Sequence, residues 1–252
     1  VKKAGNYAFL LIPPPRSMKR GLSLFLESRM PRSARRIFPG IPHHVLQRGN
    51  RRQPLFFEDA DRRAYLRLVT AACAKHCTSC LAWCLMDNHV HLILVPASED
   101  GLRAPLASAH TAYSQRINRM RGESGHLFQG RFASYAMDDA HLMVAARYVE
   151  NNPVAAGLVQ RAEAWPWSSA RAHIAGRADG FTDLAALGRH VPDWRAMLAR
   201  GLEAADEDER IARAMRSGWP VGAEPWLRSL AARFETELDC PRRGRPRTDR
   251  QK

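Results

Sequence analysis

The alternation of apolar and polar positions divides the chain into short segments of two kinds. Residues 41–48, "IPHHVLQR", alternate as a first strand. "EDADRRAYLRLVTAACAKH" has acids in its first turn and apolar side chains at helical spacing, Tyr65, Leu68, Val69 and Ala72, and predicts a helix. "LAWCLM" reads as a strand, Asp87-Asn88 as a turn, and residues 89–95 as the next strand. "LRAPLASAHTAYSQRINRMRG" predicts a second helix ended by Gly122. "RFASYAM" predicts a further strand, and "DDAHLMVAARYVENNP" a helix with Pro153 after its end. The order β-α-β-β-α-β with an added helix is the split βαβ, ferredoxin-like arrangement: an α+β fold whose antiparallel sheet carries helices on one face.

Outside this core the pattern changes. Residues 1–29 hold a Pro triplet and basic residues without periodicity, and are expected to be a disordered or spurious extension, with the ordered chain starting near Met30. Residues 30–175 form the expected main domain, 176–240 a helical C-terminal extension, and 241–252, "PRRGRPRTDRQK", a basic tail. No apolar run reaches the roughly 18 residues of a membrane span, and no export signal is expected.

Charge sharpens the picture. The formal net charge is +14, but residues 1–57 alone carry a net +11 and residues 241–252 a net +5, leaving −2 on the 183 residues between them. Nucleic acid is the expected polyanionic partner, with simple solubilisation as the plainer alternative. Five cysteines and no export signal point to a reducing cytoplasm. Cys73, Cys77, Cys80 and Cys84 lack the paired spacing of structural zinc sites and read as small core residues.

The candidate chemistry lies in "NHVHLILVP", residues 88–96. Side chains alternate along a strand, so His89, His91, Ile93 and Val95 share one face, while Val90, Leu92 and Leu94 face a core. Two imidazoles one repeat apart can grip a divalent ion; on spacing alone the plainer reading is two partly exposed histidines bordering a groove, and what surrounds the pair decides. Tyr113 lies on the helix that follows. A phenol beside a two-histidine metal is equipment for phosphoryl transfer without a nucleotide, the phenol attacking to form a phosphotyrosine. Gln115 and Asn118 on the same helix are the candidate third ligands, although Asn118, five residues on, sits about 140° around the helix from Tyr113.

These residues belong to a wider pattern. "MPR…PG…HHVLQRGNRRQPLF" at 30–56, "WCLMDNHVHLIL" at 83–94, "YSQRINR" at 113–119, "SGHLFQGRFAS" at 124–134, "RYVENNPVAAGLV" at 147–159, "WPWSS" at 165–169 and "RRGRPR" near the end resemble the REP-associated tyrosine transposases, single-tyrosine HUH enzymes of insertion-sequence type. Asp87 stands where that pattern has proline, and residues 1–29 have no counterpart in it.

The resemblance implies a metal-dependent endonuclease and strand-transferase for single-stranded DNA. It would use Mg²⁺ or Mn²⁺ and act at short hairpins from repetitive extragenic palindromes. His89, His91 and, more loosely, Asn118 match the metal ligands, and Tyr113 the nucleophile. Arg48, Arg51, Arg52, Arg116, Arg119 and Arg131 are candidate phosphate contacts. Arg243 and Arg245 are candidates for an A·T-rich minor groove or for phosphates. Phe128 and Trp167 offer either base stacking or core packing. His43 and His44 could border the site, but on a first strand they are read as structural and left out of the metal shell. The chain is expected to be a cytoplasmic, nucleoid-associated monomer or homodimer with no membrane partner.

The competing readings are a nucleic-acid-binding protein that has lost catalysis, a water-activating metal hydrolase, and a replication initiator or relaxase. The first would have no need of the tyrosine and the histidine pair together. The second needs later metal ligands that are not evident, and the third differs in motif order and size.

Overall fold

The computed structural model describes residues 35–188, 191–200 and 205–238, the side chains of 205–208 excepted. Four strands, β1 (His43–Arg48), β2 (Ser79–Met86), β3 (His89–Val95) and β4 (Ala133–Ala136), form one sheet in the order β2-β3-β1-β4, with every pairing antiparallel. Helix α1 (Asp59–Lys75) joins β1 to β2, and α2 (Arg103–Arg121) joins β3 to β4. This is the expected split βαβ order.

Local chemistry explains the boundaries. At the start of α1, Glu58 and Asp61 make a reciprocal capping box, and Asp61 also accepts the Phe57 amide at 3.1 Å. Helix α2 stops at Gly122, whose φ of 64° reaches the left-handed region that a Cβ disfavours. The turn after β1 needs Gly49 for another reason: a Cβ there would lie 2.1 Å from the Gln53 carbonyl oxygen.

The strand period sorts side chains to two faces. On one, Val45, Leu85, Val90, Leu92 and Leu94 pack with Tyr65 and Val69 of α1 and with Leu106, Ala109, Tyr113 and Ile117 of α2. The other is covered by α3 (Asp139–Ala155), through Leu142, Ala145, Ala146 and Val149 against Cys84, Met86 and Ile93. An irregularity in β2 between Cys80 and Ala82 puts Leu81 and Ala82 together on the α3 side. The added helix therefore lies across the sheet from α1 and α2.

Helix α3 also runs through Pro153 rather than ending before it. Proline removes one amide donor, and in the last turn the helix tolerates that loss. Beyond α3 come α4 (Ala170–Ala175), α5 (Leu184–Gly188), α6 (Trp194–Ala199), α7 (Ala205–Ser217) and α8 (Glu224–Arg233). They pack on α3 and on the strand ends: Trp194 and Leu198 join the α3-side core, and Leu230 packs with Phe38 and Ala136. Cys73 and Cys80 are buried on the α1–α2 side and Cys84 on the other, whereas Cys77, read from sequence as core, is exposed in a left-handed turn after α1. Among the described residues no helix is long and apolar enough to cross a membrane.

Candidate active site

Strand register builds the first half of the site. β1 pairs with β3 so that Arg48 lies opposite His89, Leu46 opposite His91 and His44 opposite Ile93. Directly paired residues share a face, so His44, Arg48, His89 and His91 all lie on the α3 side. Helix α3 supplies the second half. Tyr148 and Asn152 are four residues apart and so lie one above the other on the helix. The Tyr148 ring stands edge-on to His91, with centroids 5.5 Å apart, and to His44 at 6.0 Å; the Asn152 side chain hydrogen-bonds His89.

The two histidines are held neutral and aimed. Burial first, then the Arg48 charge, lowers the His89 pKa to about 4, against the opposing Asn152 bond. Burial, then His89, His44 and Arg48, holds His91 well below the ordinary imidazole range. His89 Nδ1 lies 2.7 Å from Asn88 Oδ1, and His91 Nδ1 lies 2.9 Å from His44 Nε2. With Nδ1–H donating in each ring, Nε2 keeps its lone pair. The rings are 5.0 Å apart and nearly perpendicular. With the Asn152 amide turned to present its oxygen, that oxygen and two neutral imidazole nitrogens would make a mixed nitrogen and oxygen donor set, of the chemistry that suits a divalent ion such as Mn²⁺.

Arg48 is partly buried beside this pair. Its pKa is lowered, chiefly by burial and then by Arg52, while Tyr148 pulls the other way.

Tyr113, the nucleophile expected from sequence, is not here. It belongs to α2, on the opposite face of the sheet, and is 0 % exposed. Its hydroxyl donates to the Leu55 carbonyl at 2.7 Å, and its ring packs with Tyr65 at 5.2 Å and Phe56 at 5.8 Å. Burial first, then Asp61 and Tyr65, raises its pKa, which disfavours the attacking phenolate. Asn118, expected as the third ligand, donates to the Gly125 carbonyl at 3.1 Å at the far end of α2. Gln115 is exposed on the same helix.

The arginines divide in the same way. Arg51 and Arg52 are exposed in left-handed turn positions just after β1, and Arg52 is close enough to act on Arg48. Arg131 follows Gly130, whose carbonyl lies near Gln47 of β1, and its charge reaches Arg35. Arg116 and Arg119 ride on α2, away from the histidines, with Arg116 3.9 Å from the buried Asp61. Arg243 and Arg245 lie outside the described residues. Phe128 is buried against His110 and Tyr113, so packing explains it; Trp167 is half-buried near Arg62.

Sequence reasoning missed Tyr148, Asn152, His44 and a buried carboxylate, Glu150. The i, i+4 pair in "RYVENN" was the available signal for the first two. Glu150 is 0 % exposed on the outer side of α3; it accepts from Ser169 Oγ at 2.5 Å and Trp194 Nε1 at 2.6 Å, and pairs with His173 Nδ1 at 2.6 Å. Asn151 donates to the Leu198 carbonyl at 2.8 Å. Together they tie α3 to α4 and α6 behind Tyr148.

Parts of the chain are similar to known proteins. Residues 38–152 match the family described as "Transposase IS200 like". A curated protein of Haemophilus influenzae named as a REP-associated tyrosine transposase is 26% identical over 108 residues, covering 38% of this chain and 61% of the relative. The chain thus spans about three-fifths of that relative's length. Among solved structures, a REP-associated tyrosine transposase bound to a REP hairpin is 19% identical, covering 62% of this chain and 93% of the other at a TM-score of 0.48. A Deinococcus radiodurans R1 protein assigned as a transposase is 17% identical, covering 48% and 97% at a TM-score of 0.33. The stretch matched by that family, residues 38–152, contains the histidine pair, the four strands and Tyr148.

Proposed function

We propose that the chain cuts and rejoins single-stranded DNA at short palindromic hairpins through a covalent 5′-phosphate ester on Tyr148. The observation that carries this is the meeting of Tyr148, His89 and His91 on one side of the sheet, with Asn152 beside them.

The Tyr148 oxygen attacks the scissile phosphorus while the bond from phosphorus to the 3′ oxygen breaks. The phenol proton passes to water, and the departing 3′ oxygen takes one up as a hydroxyl. One ester replaces another, so a second 3′ hydroxyl can attack the phosphotyrosine and rejoin strands without an energy source. Arg48, with Arg51 and Arg52 at the same end of β1, holds phosphate oxygens beside the reacting group. His89, His91 and Asn152 would hold a divalent ion, Mg²⁺ or Mn²⁺, which when bound polarises the phosphate as a Lewis acid. Glu150 and Asn151 fix the helix that aims Tyr148. Fully paired duplex is a poor substrate, because unpaired nucleotides must reach the site.

The test uses a labelled single-stranded hairpin with flanking bases and Mn²⁺, read on a denaturing gel. The wild type should give a protein-linked 5′ strand and a free 3′ hydroxyl, and chelation should abolish both. Tyr148→Phe should bind the hairpin with near wild-type affinity and form no adduct. An adduct from Tyr148→Phe, or cutting that leaves no protein-linked strand, would overturn the proposal.

A further inference from the structure

His44 was read from sequence as an ordinary first-strand histidine. In the fold it is 0 % exposed and lies between His91 and Tyr135. Its Nε2 is 2.9 Å from His91 Nδ1, and its Nδ1 is 3.2 Å from the Tyr135 hydroxyl. Strand register makes this contact. His44 pairs with Tyr135 on β4 and with Ile93 on β3, one strand repeat along from His91. The Tyr135 ring stands edge-on to His44 at 5.5 Å, and Tyr148 stands edge-on from α3 at 6.0 Å. The imidazole is thus enclosed by three aromatic neighbours.

The proton positions follow from the geometry. An imidazole can bind a cation through Nε2 only if that nitrogen carries no hydrogen, so its proton must sit on Nδ1. For His91, Nδ1–H then donates to His44 Nε2. That leaves the His44 proton on Nδ1, where the Tyr135 oxygen accepts it. A reversed chain, with His44 Nε2–H donating to His91 Nδ1, would put the His91 proton on Nε2 and close the site.

We infer that His44, backed by Tyr135, is a positioning residue that holds the His91 ring in its orientation and in the one tautomer able to bind a divalent cation. The inference rests on the metal-site reading proposed above. Outer partners of this kind change cation affinity by about 10- to 100-fold.

The experiment titrates metal-free full-length protein with Mn²⁺, without DNA, and follows the loss of the free-ion paramagnetic resonance signal; circular dichroism melts report folding. The wild type should bind Mn²⁺ and His89→Ala should not. His44→Leu, which fills the same apolar space, should remain folded and bind about 10- to 100-fold more weakly. His44→Gln can accept from His91 and donate to Tyr135, and should recover most of that loss. Tyr135→Phe should weaken binding by about three- to ten-fold. Absence of Mn²⁺ binding in the wild type, or equal binding by His89→Ala, overturns the metal site and this inference with it. Wild-type binding that His89→Ala removes, with a folded His44→Leu matching the wild type or with His44→Gln no better than His44→Leu, overturns the role of His44 alone. If His44→Leu does not fold, Tyr135→Phe decides, and an unchanged affinity overturns the inference.

Discussion

Removing the hydroxyl of Tyr113 separates the two tyrosines most sharply. The Tyr113 hydroxyl donates to the Leu55 carbonyl at 2.7 Å, and both residues are 0 % exposed. Tyr113→Phe keeps the ring and its packing against Phe56, Tyr65 and Phe128, so no cavity opens beyond one oxygen. The Leu55 carbonyl is left buried without this donor, which costs about 1–3 kcal/mol. For a chain of this size each kcal/mol lowers the melting temperature by about 2–4 °C, so the variant should melt roughly 2 to 12 °C below the wild type. At 25 °C it should stay folded, and the proposed reacting face lies across the sheet. Adduct formation on the labelled hairpin should therefore stay within about two-fold of the wild type at a temperature where both are folded. Melting by circular dichroism and the denaturing gel, run on the same preparation, give the two readings. A folded Tyr113→Phe protein that forms no adduct would refute the reasoning and return the nucleophile to α2.

Two further changes probe the supports of the site. Glu150→Ala leaves Trp194 Nε1–H, Ser169 Oγ and His173 Nδ1 without their shared acceptor, and should destabilise by about 3–5 kcal/mol. Urea unfolding measures this, and Glu150→Gln, which keeps an acceptor oxygen, should lose less; equal stability of Glu150→Ala and wild type would deny the clamp on α3. His43 supplies a pH test. Its Nε2 accepts the Phe38 amide at 3.2 Å and its Nδ1–H donates to the Ile41 carbonyl at 2.7 Å, so the neutral ring is fully bonded. Burial lowers its pKa to about 4, despite the opposing backbone bonds. The folded state therefore resists a proton that the unfolded state takes up near pH 6.5. The stability contribution is complete above pH 6.5 and is lost as pH falls toward 4, amounting to about 2 kcal/mol by pH 5. Urea unfolding of wild type and His43→Gln at pH 7.5 and pH 5 should show the variant losing less by about that amount; parallel losses would refute it.

The sheet and its contents were legible because a strand has a period of two. That period put His89 and His91 on one face and Val90, Leu92 and Leu94 on the other, and the structure keeps this division. The same facts bear on the proposed nucleophile. If Val90, Leu92 and Leu94 face the helices between strands, the histidines face away from them, so a tyrosine on α2 and the histidine pair cannot meet. Connection handedness makes the conclusion general. The path β1-α1-β2 and the path β3-α2-β4 run in opposite directions across the sheet and start on antiparallel strands, so one handedness puts both helices on the same face. The helix over the histidines had to be the added one, and its Tyr148 and Asn152 were visible at i, i+4.

What the sequence alone determined was the order of elements, the face of each strand residue and the motifs that resemble the REP-associated transposases. These depend on local periodicity and turn chemistry, which act between near neighbours. Tertiary structure set the Tyr148 ring against His91 and His44, and put His44 behind His91. It also showed that Glu150, an unremarkable helix acid in sequence, is a buried acceptor for three side chains from 19 to 44 residues away along the chain. Those facts depend on register between distant strands and on the packing of α4 and α6, where the partners are brought together only by folding.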